Sequence, residues 1–145
     1  MERSLLWIIV FSVKLYLGKS HHQNVYEDDK VLAFLDISQA TKGHTWLFLK
    51  NTFATFWKCL LRLLRLSLAV FQKLPVPCKK TTGAIGMNIL NNNEEVAGQT
   101  VFHAHIHLVP RYGADDGIHM SFDEHEPDFA ALANLADSIA KEVTE

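Results

Sequence analysis

Between Gln99 and Arg111 the chain reads Gln-Thr-Val-Phe-His-Ala-His-Ile-His-Leu-Val-Pro-Arg, with histidines at 103, 105 and 107 and apolar residues between them. Few conformations accommodate such a pattern. In a strand, successive side chains point to opposite faces, so His103, His105 and His107 are expected on one face and Phe102, Ala104, Ile106 and Leu108 on the other. Pro110 lacks the donor that a ladder needs and is expected to end the run.

A metal site is the first rival reading. At roughly 3.3 Å per residue His103 and His107 start about 13 Å apart, whereas zinc holds imidazole nitrogens at about 2.0–2.1 Å. Two neighbours such as His103 and His105 can share one ion, but three on a straight strand cannot. A purely structural role is also costly, because imidazole is polar at both nitrogens and three buried rings need partners. Phosphorus chemistry suits the row better. The middle ring, His105, can present a neutral nitrogen as nucleophile while its neighbours orient it and hold phosphate oxygens, provided open space adjoins the ring. Just upstream, Asn91-Asn-Asn-Glu-Glu-Val-Ala-Gly98 is an amide-rich loop whose closing glycine lets backbone N–H groups approach an anion. Gln99 and Thr100 add an amide and a hydroxyl.

The run His-Ala-His-Ile-His-Leu-Val resembles the alternating signature of the histidine triad, or HIT, superfamily of nucleotide hydrolases and transferases. The stretches 25–45 and 86–112 resemble its small bacterial branch, and with the tail after Tyr112 the likeness covers roughly two thirds of the chain. The resemblance implies an α+β fold, an antiparallel sheet with helices packed on it, and a homodimer. It implies His105 as the nucleophile attacking the α-phosphorus of a nucleoside phosphoramidate or dinucleoside polyphosphate, giving a nucleotidyl-histidine that water hydrolyses. His107, with Asn92, Gly98, Gln99 and Thr100, would stabilise the phosphoryl oxygens. His103, linked to a fourth histidine, His44, would orient the nucleophile. Asp36 would bind the ribose hydroxyls and Ile37 the base. Without the resemblance, Asp36 reads as a turn former and His44 as a surface loop residue.

The chain has 145 residues, 48% of them hydrophobic, which suits one domain with its own core. A formal charge of −2 gives no basic face for nucleic acid. Cys59 and Cys78 show no motif spacing and read as reduced thiols. The Cys-x-x-Cys pair that could hold structural zinc in the bacterial branch is absent, so neither a zinc site nor another cofactor is expected.

Two segments, 1–24 and 46–79, do not match the family. The first opens like a signal sequence, but Lys14 interrupts its apolar run far short of the roughly 20 residues of a membrane span. The second contains Leu60-Leu-Arg-Leu-Leu-Arg-Leu-Ser-Leu-Ala-Val-Phe71, apolar nearly all round. No strand is expected to continue cleanly past Thr45. Codons can be chosen for Trp46–Cys78 so that a neighbouring register gives Thr-Leu-Val-Val-Pro-Lys-Glu-His-Phe-Arg, and for Leu6–Gln23 so that it gives Met-Asp-Asn-Cys-Ile-Phe-Cys-Lys. Both are family-like, and we read the two segments as frame-disrupted, without targeting meaning. An uninterrupted coding register over codons 5–25 and 45–80 on resequencing ends that idea. A domain translated as written would lack its central strand and helix.

Val25–Tyr26 and Val31–Ile37 read as strands around an acidic turn, Gly86–Leu90 as a strand pairing with the triad strand, and Gly113–Gly117 as a turn. His119 and His125 read as surface residues. Asp128 is a candidate cap for a last helix whose Phe129, Leu132, Leu135, Ile139 and Val143 form one packing stripe. The sequence thus divides into a non-matching segment 1–24, a HIT-like domain over 25–112, and a loop and helix over 113–145. The expected function is a cytoplasmic nucleotide hydrolase acting on an AMP moiety, with no nucleic-acid or membrane partner. Its rivals are a nucleotide-binding module with little turnover, a metal binder using His103 and His105, and a non-functional product.

Overall fold

The computed structural model describes residues 23–50, 68–70 and 72–143. The signal-like start, Cys59 and most of the leucine-arginine segment lie outside the described residues.

The first hairpin pairs β1 (Asn24–Glu27) with β2 (Val31–Leu35) antiparallel. Asp28 shapes the turn, its carboxylate accepting the N–H groups of Lys30 and Val31 at 2.8 and 2.7 Å and the Tyr26 hydroxyl at 2.9 Å. β3 (Thr45–Leu49) follows, and β4 (Gly86–Leu90) and β5 (His105–Arg111) complete a five-stranded sheet in the order β1-β2-β3-β5-β4. Every described pairing is antiparallel. The protein is an α+β domain built on this sheet.

A strand does continue past Thr45, which corrects the expectation that the central strand would be missing. Trp46, Leu47, Phe48 and Leu49 are β-formers buried on both faces, and β2 and β5 satisfy the backbone on either side. A second correction concerns Pro110, which lies inside β5 rather than after it. The β3 pairing has already ended at Thr45↔Leu108, so no ladder donor is demanded of it there.

One sheet face carries the main core: Val31, Ala33, Leu47, Leu49, Ala104, Ile106 and Leu108, covered by Val70 and Leu74. Leu74 leads into α1 (Pro75–Thr82), a helix the sequence reading did not foresee. Pro75 and Pro77 fall in its first turn, where backbone N–H groups have no intrahelical acceptor, and Gly83 closes it at φ +79°. The other face carries Phe34, Trp46 and Phe48 beside the histidines.

After β5, Arg111 grips Asp116 through Nε and Nη2 at 2.7 and 2.9 Å, closing the expected turn. Asp128 caps α2 (Phe129–Glu142), accepting from the Ala131 N–H at 3.0 Å, as its position suggested. Its stripe is not packed against the sheet, however. Phe129, Leu132, Leu135, Ile139 and Val143 are all exposed, and α2 has no buried residue.

Candidate active site

β5 delivers His105 and His107 to one face, as alternation requires, and Ile106 and Leu108 to the core. The row breaks before them. His103 lies in a bend ahead of the strand, its N–H bonded to the Val101 carbonyl at 2.8 Å, and Phe102 is exposed rather than aligned with Ala104. Only two of the three histidines are therefore strand residues.

The hydrogen bonds fix what each ring can do. The His105 Nδ1 is 2.6 Å from the His103 carbonyl oxygen, which can only accept, so Nδ1 carries the proton and a neutral ring has its lone pair on Nε2. Burial, with the nearby His103 and His44 as lesser causes, holds His105 below its ordinary pKa and keeps it neutral near pH 7. His103 contributes mainly its backbone. Its own Nε2 donates to the Leu49 carbonyl at 2.6 Å, tying the bend to β3, while its Nδ1 is buried without a partner among the described residues. Burial lowers its pKa as well.

His44 does not meet His103, which corrects the expected link. Its Nε2 lies 3.0 Å from Nδ1 of His107, with ring centroids 5.2 Å apart. The register explains the choice: Thr45 pairs with Leu108 and Trp46 with His107, so the residue entering β3 arrives beside position 107 and a full turn of pleat from 103. Burial, then the charges of His105 and His44, depresses His107 to about 4, and Asp36 opposes this.

The segment between β2 and β3 sets His44. Gln39 organises it, its Oε1 accepting from the N–H groups of Gly43 and His44 at 2.6 and 3.0 Å and its Nε2 donating to the His44 carbonyl at 2.9 Å. Thr41 anchors the segment to β5 through a buried 2.6 Å bond to the Pro110 carbonyl. Neither residue was singled out in the sequence, and a Ser-Gln-Ala-Thr loop carries no local signal for such roles. Asp36 is buried; its Oδ1 accepts the Ser38 N–H at 2.8 Å and its Oδ2 the Trp46 indole N–H at 2.7 Å, with His44 Nδ1 at 3.3 Å. Ile37 beside it is 60% exposed.

The asparagine loop is closed largely on itself. The N–H groups of Gly98 and Gln99 bond to the Glu95 and Glu94 carbonyls, and the buried Gln99 side chain bridges the Glu94 N–H and the Val101 carbonyl at 2.8 and 3.1 Å. Gly98 and Gln99 thus shape the loop instead of offering donors, contrary to expectation. Thr100 is exposed, and its N–H has no partner among the described residues. Asn91 and Asn92 donate to the His105 and Gly98 carbonyls at 2.7 and 3.3 Å.

Trp46 and Phe48 cover the nucleophile position. Their rings stack on His105 at centroid distances of 4.7 and 5.0 Å, and His105 is 3% exposed. The ring is thereby covered, and its Nε2 has no hydrogen-bond partner among the described residues. A cavity of about 860 Å³ lies elsewhere, against α1, with Ile37, Leu35, Leu74, Cys78 and Thr82 in its lining. Asp36 borders it too, but none of the triad does. His119 and His125 are exposed. Among the described residues no three His, Cys, Asp or Glu side chains are grouped to hold a metal ion, and no helix is long and apolar enough to cross a membrane.

A family model described as the HIT domain matches residues 18–114. The protein named hit of Bacillus subtilis is 41% identical over 130 residues, covering 88% of this chain and 90% of that protein. A crystal structure from Streptococcus mutans superposes with a TM-score of 0.83 at 47% identity, over 93% of this chain and 85% of the other. A Candida albicans protein named adenosine 5'-monophosphoramidase is 28% identical over 134 residues, covering 90% and 88% of the two chains.

Proposed function

The chain belongs to the HIT domain family, and on that premise we propose that it is a nucleotide hydrolase acting at the α-phosphate of an adenosine phosphoramidate or dinucleoside polyphosphate. The observation that carries this reading is the 2.6 Å bond from His105 Nδ1 to the His103 carbonyl, which leaves the neutral ring's lone pair on Nε2. That pair attacks the α-phosphorus, the P–N bond forms and the bond to the leaving group breaks. Water then attacks the nucleotidyl-histidine, releasing AMP and returning the electron pair to Nε2. We assign stabilisation of the developing charge to the Thr100 N–H and hydroxyl and to Asn92, with Gly98 and Gln99 holding the loop. Ile37 offers an exposed apolar surface to the base. The name of the Candida albicans relative supports a phosphoramidate as substrate. A cytoplasmic location is part of the same proposal. The exposed stripe of α2 favours a homodimer in which the helix covers apolar surface of a second copy.

A second reading has its own support: with Trp46 and Phe48 stacked on His105, the protein binds AMP but turns over little. One experiment separates the two. Folded protein is mixed with adenosine 5'-phosphoramidate and AMP release is followed, with AMP binding measured by calorimetry. Release that His105→Asn abolishes supports the hydrolase; binding without release supports the second reading; neither overturns both.

A further inference from the structure

We infer that Trp46 and Phe48 form an electron-rich wall against which His105 carries the positive charge it acquires on bonding to phosphorus, and that the Asp36 carboxylate strengthens this wall through the indole N–H. The inference rests on the hydrolase reading above and deepens it. Three observations carry it. Phe48 pairs with His105 across the sheet and Trp46 with His107, so one ring stands directly opposite the imidazole and the other reaches it on the diagonal. Both rings lie nearly parallel to the imidazole, at interplanar angles of 7° and 18° and centroid distances of 5.0 and 4.7 Å. These distances fall inside the roughly 6 Å over which a ring face attracts a cation. His107 lies at 73° to the same indole, so of these two strand histidines the stack belongs to His105. The indole N–H, finally, donates to Asp36 Oδ2 in a buried bond of 2.7 Å.

The charge follows from the bonding. His105 Nδ1 keeps its proton against the His103 carbonyl while Nε2 gives its lone pair to the α-phosphorus. The bond to the leaving group breaks and its electron pair departs with that group, so the ring becomes a phosphoryl-imidazolium with one positive charge. In the second half water attacks phosphorus, the pair returns to Nε2 and the charge disappears. Over the cycle the hydroxyl of water ends on phosphorus and its proton on the departed group, and His105 is regenerated.

A charge at this position needs compensation. Burial, the largest influence, disfavours it, and the His103 and His44 side chains oppose it, whereas the His103 carbonyl and the Asp36 charge favour it. An aromatic face adds an attraction that is weak for a neutral imidazole and strong for an imidazolium, so it acts on the charged species more than on the resting ring. Indole offers the strongest such face among side chains. Donating its N–H to an anion pushes electron density into the indole, and Asp36 thereby reaches the nucleophile through Trp46. A carboxylate has about four lone-pair sites, so this bond is compatible with a substrate contact at the same carboxylate. Trp46 and Phe48 act through His105 and are positioning residues.

The test places tryptophans carrying one, two or three ring fluorines at position 46 alone. Each fluorine withdraws density from the ring face and leaves the N–H and the ring's shape nearly intact. Wild type and the series are given the 4-nitrophenyl ester of AMP in single turnovers, where nitrophenolate reports the first half and AMP in quenched samples the second. A wall that holds the charged intermediate gives a first half that slows with each fluorine and a second half that does not, the ratio of the two rates falling about 2- to 30-fold across the series. Halves slowed alike, or a ratio that does not change, overturn the inference, because lost packing alone does not favour one half over the other. Fluorinated phenylalanines at position 48 give the same split with a smaller fall, and an unchanged ratio there removes Phe48 from the wall. A wild type that releases neither nitrophenolate nor AMP overturns the hydrolase reading, and the wall with it.

Discussion

Acidification should unfold this protein well above the pH at which its carboxylates titrate. His107 is held at about 4 against an ordinary value of 6.5, first by burial and then by its histidine neighbours. Between those values the unfolded chain binds a proton that the native chain refuses, so native stability is complete above about pH 6.5 and falls as the pH drops toward 4. At 1.36 kcal/mol per pH unit the full separation sets a ceiling of about 3.4 kcal/mol. His107 is only half-buried, and solvent screening reduces its share to about 1–2 kcal/mol. His44, His103 and His105 are depressed in the same direction by burial and add to the loss. Asp28 and Asp116 do not contribute in this window. Their carboxyls are held below the ordinary 3.8 by backbone and Arg111 hydrogen bonds, so the stability they bring disappears only below that pH. Set against a typical 5–15 kcal/mol, the histidine cluster should remove a large fraction of the total. Urea midpoints at about pH 7, 6, 5 and 4.5, at constant slope, measure it directly. A midpoint unchanged between pH 7 and about 5 refutes the account, because three buried rings and a half-buried one cannot refuse protons at no cost. The titration belongs to the cluster, so replacing His107 by Asn should flatten the decline without abolishing it.

Gly43→Ala should lower stability by about 2–4 kcal/mol, because the position has φ +87° and a Cβ there would sit 2.8 Å from Thr82 Cγ2 on α1; thermal denaturation checks this, and an unchanged midpoint counts against the packing described. If α2 forms the homodimer contact proposed above, Leu135→Asp should give a monomer while leaving the stability of the single chain within about 0.5 kcal/mol, since this side chain is 58% exposed. Sedimentation velocity is the readout, and a variant that remains dimeric rules out α2 as the contact.

Much of this was legible in residues 99–111. Strict alternation fixed a strand with His105 and His107 on one face and Ile106 and Leu108 in the core, because side-chain direction in a strand depends on the local chain alone. The helix cap at Asp128 and the turn after β1 were legible for the same reason: a short polar side chain satisfying backbone donors a few residues away is a local event. The resemblance to the family added the assignment of His105 as nucleophile, which stands as a proposal. What sequence could not supply was everything set by register between distant segments. His44 meets His107 rather than His103 across 63 residues because β3 pairs with β5 at Trp46↔His107. The same register brings Trp46 and Phe48, residues of a segment that the sequence reading had set apart from the family although the HIT domain match spans it, onto His105 and ties the Asp36 carboxylate to an indole. Local periodicity says which face a residue occupies, but which partner waits on that face depends on how strands from separate parts of the chain slide into alignment, and that is decided only when the whole sheet buries its two faces at once.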